Sequence, residues 1–212
     1  MAGLGTTQEE LYAAAAFARR AGTRLRAAPP APDEPTWAGI ANADRPATVQ
    51  RQAAVLVPIV ARGPEASLLL TRRTRALRTH SGQIAFPGGA IDAEDADAWA
   101  TAIREAGEEI GLRPRSVSAI GYLDAHLSGS GYRVLPVVGL VEAGYSLQLN
   151  PVEVDAAFEV PLRFLMDPEN HRIDSIEREG RKRYFYAMQY EDHYIWGVTA
   201  GIIRALYERV FG

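Results

Sequence analysis

Apolar residues recur along this chain with two periods, and the changes of period mark its elements. In "TTQEELYAAAAFARRAGTRLRAA", Leu11, Ala14, Ala18, Ala21 and Leu25 share one side at helical spacing, with Thr7 and Glu10 at capping-box positions. The pattern predicts one amphipathic helix that packs on the fold. "APPAPDEPTW" (28–37) carries four prolines, which exclude a helix or a central strand and predict an extended connector. Beyond it the period shortens. "AAVLVPIV" (53–60) and "ASLLLTRR" (66–73) flank "ARGPE" as a hairpin-like pair; "SVSAIGYLDAHL" and "YRVLPVVGLVE" form a second pair around "SGSG"; "KRYFYAMQY" with "YIW" suggests a third. Helices are expected at about 95–110, around "PLRFLM" and over 198–211, where Ile202, Ile203, Leu206 and Val210 repeat at helical spacing. The alternation predicts an α/β fold, a mixed sheet sandwiched between helices. Residues 1–37 form its N-terminal helix and connector and 38–212 its main domain.

Composition narrows the chemistry. A chain of 212 residues that is 47% apolar can bury a substantial core. A net charge of −3 gives no general attraction to nucleic acid or an anionic membrane, so neither is expected as a partner. Cysteine is absent, which excludes thiolate catalysis and sulfur-ligated zinc and directs any metal to oxygen or histidine ligands. No apolar run reaches the roughly 20 residues of a membrane helix. The first residues lack the order of a secretory signal, and Glu9 and Glu10 argue against an organelle transit peptide, so a cytoplasmic location is expected.

The stretch "IREAGEEIGL" (103–112) places Glu105, Glu108 and Glu109 close together near a helix end that Gly111 can close. At about 100° per residue, Trp99, Ala106 and Ile110 fall within about 60° of Ile103, while the three acids fall between about 140° and 240° as a separate ridge. Like charges at i,i+4 repel by about 0.2–0.5 kcal/mol per pair, and acids near a C-terminus oppose the helix dipole. A solvated face is the simplest reading of a charged ridge. A divalent cation shared with substrate phosphate would relieve this one directly, which makes the ridge a candidate metal platform. Upstream, "RRTRALR" gathers Arg72, Arg73, Arg75 and Arg78. Surface pairing with nearby acids is one account of them, and bidentate phosphate binding is the other.

These residues also carry a family resemblance. "GGAIDAEDADAWATAIREAGEEIGL" resembles the Nudix box, usually written G-x5-E-x7-R-E-U-x-E-E-x-G-U with U aliphatic, and its second half matches at Arg104, Glu105, Glu108, Glu109, Gly111 and Leu112. Ala106 is smaller than the pattern's aliphatic residue. The first half departs, with Asp95 where the box has glutamate and one extra residue before Arg104; Glu94 is the alternative. Residues 69–89, "LLTRRTRALRTHSGQIAFPGG", resemble the signature of the coenzyme A pyrophosphatase branch, L-L-T-x-R-[S/A]-x3-R-x3-G-x3-F-P-G-G, with Thr74 at its serine/alanine position.

The resemblance implies a Nudix fold and hydrolysis of coenzyme A or an acyl-CoA to 3′,5′-ADP and 4′-phosphopantetheine. ADP-ribose, NADH or another nucleoside diphosphate derivative is the alternative substrate, and a non-catalytic nucleotide-sensing module the more distant reading. It implies Mg²⁺ or Mn²⁺ held by Glu105, Glu108, Glu109 and the Gly88 carbonyl, with Arg104 orienting the glutamates. Catalysis falls to Glu105, Glu108, Arg104 and Glu153, the base being either a glutamate of the box or a distant one, Glu153 or Glu159. Substrate binding falls to Arg73, Arg78, His80 and Phe86; His80 reads first as a structural residue or a phosphate hydrogen-bond donor and only then as a general base. The glycines of "GYLDAHLSGSGYRV" suggest a mobile loop over the pantetheine end. The sequence leaves room for a homodimer.

Overall fold

The computed structural model describes residues 8–40, 51–76, 81–178 and 180–212. Its main sheet runs in the order β3-β2-β1-β7-β5, built from β1 (Arg51–Val60), β2 (Ser67–Arg73), β3 (Ile84–Ala85), β5 (Val117–Tyr122) and β7 (Tyr132–Val141). The short β4 (Gly88–Ala90) pairs with β1, β6 (His126–Leu127) with β7, and β8 (Val154–Pro161) with β2. β1 and β7 run parallel in register from Arg51↔Tyr132 to Val60↔Val141 and the other pairs are antiparallel, so the sheet is mixed as expected. A second sheet, β11-β10-β9, comprises β9 (Arg172–Arg178), β10 (Arg181–Tyr190) and β11 (His193–Trp196).

Two cores hold these layers. On one face of the main sheet, Ala54, Leu56, Leu69 and Val137 pack against Ala98, Ala102, Ala106 and Ile110 of helix α3 (Ala98–Ile110). On the other, Val57, Ile59, Leu68 and Leu70 meet Ile202, Ile203, Leu206 and Val210 of α5 (Gly197–Val210), with Met188 and Ile195 of the second sheet. Helix α4 (Leu162–Leu165) sits at the end of β8.

The N-terminal segment departs from one continuous helix. It divides into α1 (Gln8–Tyr12) and α2 (Ala14–Gly22) because Ala13 is extended, at φ −62° and ψ 139°. Its anchor is Phe17, fully buried with Ala21 in the α5 core, while Thr7 of the expected capping box lies outside the described residues. The proline-rich segment is extended but firmly docked. Trp37 stacks on His126 with centroids 4.8 Å apart and donates from Nε1 to Glu208. Buried Arg133 donates from Nη2 to the carbonyls of Ala31 and Glu34.

Strands β8 and β9 carry no clear alternation and were not expected from the sequence. The segment expected to form a mobile loop contains β6 and a tight turn between β6 and β7, in which Ser128 N donates to Tyr132 O and Ser128 Oγ accepts from Tyr132 N. None of the described helices is long and apolar enough to cross a membrane.

Candidate active site

Helix α3 is fixed at both ends. Asp97 caps its N-terminus by accepting from Ala100 N at 2.8 Å. At its C-terminus Gly111 takes φ 67°, which favours glycine, and the amides of Gly111 and Leu112 donate to the carbonyls of Gly107 and Ala106. The three acids are not uniformly solvated, as the simplest reading of a charged ridge would have them. Glu108 keeps 57% of its side-chain exposure, Glu105 keeps 16% and Glu109 only 3%. On the helical wheel Glu109 lies at about 240°, beside Ala102 at about 260°, and the helix leans into the sheet along that line of alanines.

Arg104 is the hub of the acidic side. Its Nε and Nη2 each donate at 3.0 Å to a different oxygen of Asp95, and Nη1 donates to Glu105 at 3.0 Å and to Glu108 at 3.3 Å. Asp95 also accepts from Thr101 Oγ1 and the Asp92 amide. Hydrogen bonding to Arg104 holds its carboxyl well below the usual aspartate range. Asp95 therefore anchors the arginine despite the altered spacing, whereas Glu94 is exposed. Burial pushes the Glu105 carboxyl upward, against the lowering effect of Arg104.

The buried side is built by glycines and a bulge. Gly88 and Gly89 belong to β4 and pair with Val55 and Ala54. The Gly88 amide donates to Glu109 Oε2 at 3.2 Å. A Cβ on Gly88 would sit 2.7 Å from Val55 Cα, and one on Gly89 would sit 2.5 Å from the carboxyl carbon of Glu105. Gly89→Ala is therefore expected to displace Glu105 and lower turnover about tenfold or more, with a melting temperature close to wild type. Steady-state kinetics beside a thermal melt check this; an unchanged rate would show that the close approach is dispensable. A register shift between Arg72 and Arg73 in the β2–β8 ladder redirects Arg73, whose Nη1 lies 3.6 Å from Glu109 Oε1. Burial, and then the nearby charges of Glu105 and Glu153, push the Glu109 carboxyl up to about 7, against the pull of the Gly88 amide and Arg73.

Glu153 reaches this region through long-range backbone bonds. The terminal carbonyls of α3 at Glu109 and Ile110 accept from the amides of Asn150 and Gln148, and Thr74 N donates to the Glu153 carbonyl. Thr74, Asn150 and Thr101 thus support the site; Thr101 does so locally through Asp95, while the contact of Asn150 with Glu109 is tertiary and left no sign in the local sequence.

Two expected site residues fall elsewhere. Phe86, just after β3, is 4% exposed and packs into the α5 core, on the sheet face opposite α3, so it does not line the acidic cleft. Glu159 is held by Ser67, Tyr145 and Arg62 in a network of hydrogen bonds and an ion pair. Arg78 and His80 lie outside the described residues.

Comparison with known proteins decides the family. Residues 50–178 match the NUDIX domain. The chain is 46% identical over 156 residues to the uncharacterized Nudix hydrolase NudL of Escherichia coli K12, covering 74% of this chain and 81% of that one. It is 44% identical over 160 residues to NudL of Photorhabdus laumondii, covering 76% and 85%. The chain belongs to the Nudix family. Among solved structures, a MutT/nudix family protein from Enterococcus faecalis superposes with a TM-score of 0.49 at 15% identity, covering 81% of this chain and 64% of that one.

Nudix hydrolases act on small molecules and generally use divalent metals such as Mg²⁺. Among the described residues no three histidine, aspartate or glutamate side chains form a ready-made metal cage. The donors nevertheless fit a hard cation that keeps waters and takes substrate oxygens. Glu105 lies against Gly89, Glu109 is buried beside Gly88, and both carboxyls are raised by burial and by neighbouring acids, an excess of negative charge that a cation would relieve.

Proposed function

We propose that this Nudix hydrolase cleaves the pyrophosphate of coenzyme A or an acyl-CoA, giving 3′,5′-ADP and 4′-phosphopantetheine. The observation that supports this substrate is the position of Arg73. The segment resembling the coenzyme A branch runs along β2 and β3, and its arginine faces the buried carboxylate of α3, 3.6 Å from Glu109. The same segment continues into Gly88 and Gly89, so the substrate signature and the carboxylate site are one piece of backbone.

Glu105, Glu108 and Glu109, with the Gly88 carbonyl, would hold Mg²⁺ or Mn²⁺. When bound, the cation neutralises pyrophosphate charge and lowers the pKa of water. Arg104 keeps Glu105 and Glu108 oriented through its hydrogen bonds. Glu153 takes the proton of the attacking water. The water oxygen bonds to one phosphorus, the bridging P–O bond breaks, and the bridging oxygen leaves with the other phosphate. Arg73, Arg78 and His80 bind substrate phosphates, of which coenzyme A offers a 3′-phosphate besides its pyrophosphate.

Incubation with coenzyme A, dephospho-CoA, ADP-ribose and NADH plus Mg²⁺ or Mn²⁺, with chromatographic separation of products, tests the assignment. Coenzyme A should disappear fastest; its survival while ADP-ribose is cleaved would rule this substrate out. Arg73→Ala and Arg78→Ala should raise KM for coenzyme A about tenfold, and raise that for dephospho-CoA less. Equal effects on both would exclude contact with the 3′-phosphate.

A further inference from the structure

Arg73 has a second task that its place in the site points to. Its backbone is fixed, because its amide donates to Gln83 O at 3.0 Å and its carbonyl accepts from Gly82 N at 3.1 Å. Only the side chain can move. The bulge after Arg72 aims that side chain at Glu109, but at 3.6 Å the approach is an ion pair without a hydrogen bond. Its Nε is buried and has no acceptor among the described residues, an unfavourable state for a donor. The guanidinium therefore sits where charge attracts it and where its hydrogen bonding is incomplete.

Glu109 shows the complementary asymmetry. Oε2 is committed to the Gly88 amide, and Oε1 faces Arg73. A cation that comes to Oε1 must compete with the guanidinium already beside it. Once displaced, Arg73 is a free positive group at the edge of the same site, with unsatisfied donors suited to phosphate oxygens.

We propose that Arg73 is a place-holder cation: it occupies Glu109 until a divalent metal binds, and metal binding releases it to substrate phosphate, so that metal precedes substrate. This rests on the reading of Glu109 as a metal ligand. It explains how a carboxylate that is almost wholly buried stays balanced before the metal arrives. It also links the two halves of the site through one side chain.

Calorimetric titration of the metal-stripped full chain with MgCl₂ and MnCl₂, without substrate, tests the proposal. Arg73→Ala should bind either cation about 3- to 30-fold more tightly than wild type, because the competitor is gone. Arg75→Ala, which removes an exposed cation from the same hairpin, should leave the affinity within about twofold. In ¹H–¹⁵N spectra of the arginine Nε–Hε groups, the wild-type cross-peak that disappears in Arg73→Ala should shift on Mg²⁺ addition with the same midpoint as the calorimetry. Equal or weaker metal binding by Arg73→Ala, or a cross-peak indifferent to Mg²⁺, overturns the place-holder role while leaving the metal site standing. An equal gain in Arg75→Ala reduces it to general charge repulsion and overturns it as well. If wild type binds neither cation, the metal reading itself fails.

Discussion

Glutamine at position 109 is expected to reduce metal-dependent hydrolysis by about 10³-fold or more, and at the same time to make the metal-free protein more stable at pH 8. Both effects come from one buried carboxylate. The Glu109 carboxyl is pushed up to about 7 from an ordinary 4.5, so the folded chain holds its proton more tightly than the unfolded chain does. Between those values the native state binds more protons, and stability therefore falls as the pH rises through that window. The full loss, reached above the folded value, is about 3 kcal/mol. Glutamine removes this dependence but forfeits the ion pair with Arg73, leaving a net gain of roughly 1–3 kcal/mol at pH 8, or about 3–8 °C for a chain of this size. Near pH 5 most of the difference should vanish. Saturating Mg²⁺ should reverse the order, because only wild type gains fully from binding; at 100 times Kd the gain is about 2.7 kcal/mol. Thermal melts in EDTA and in Mg²⁺ at both pH values, with turnover measured beside them, decide the matter. A wild-type rate would remove Glu109 from the metal site, and a stability gap independent of pH would contradict its buried ionisation.

The second large effect is expected from Arg104→Ala. This change strips two hydrogen bonds from Asp95, whose side chain is only 7% exposed, and leaves Glu105 and Glu108 to repel each other. Removing one partner of a shielded pair leaves the other charge uncompensated, a loss of about 2 kcal/mol once the 28% exposure of Arg104 is allowed for. Asp95 has a lowered folded pKa, so its contribution is fully present above the ordinary 3.8 and disappears as the pH falls below that value. The deficit of Arg104→Ala should accordingly shrink in acid. Turnover should drop about 10²-fold, mainly in kcat, because the ligands lose their orientation and the substrate contacts remain. Arg104→Lys should recover the charge without the two-pronged geometry and fall between the two. Urea melts at pH 7 and pH 3 with kinetics at neutral pH provide the check; an unaltered kcat in Arg104→Ala would deny the arginine any part in positioning.

Much of the architecture could be read from the sequence where period and punctuation agreed. Ala102, Ile103, Ala106 and Ile110 with Gly111 define α3, and Ile202, Ile203, Leu206 and Val210 define α5. The strands that escaped prediction lack such agreement. β9 is exposed from Arg172 to Glu177, so burial imposes no alternation on it, and β4 opens with two glycines that ordinarily mark a loop. There they serve close approach, since a side chain at either position would collide with the strand beneath or with Glu105. Within the site, the part of Arg104 was implied by the family resemblance, and the burial of Glu109 was not legible. Its position beside Ala102 on the wheel was the available signal. The route that brings Glu153 near α3, through Asn150 and Gln148, depends on the helix's own unpaired carbonyls and leaves no local trace. Phe17 and Phe86 show the same limit, for the pattern of apolar positions singled out neither, and both are core anchors.

The docking of the N-terminal segment bears on what counts as a unit in this molecule. The stretch that matches the NUDIX domain stops at residue 178, at the end of β9, and begins beyond Phe17 and Trp37. A fragment trimmed to that region would retain every carboxylate of α3, yet β9 would lose β10, its one neighbour among the described residues, and the sheet face now covered by Phe17 and α5 would lose most of that cover. The inherited signature and the folding unit have different borders here: the chemistry is written in the middle of the chain, and its rigidity is supplied from both ends.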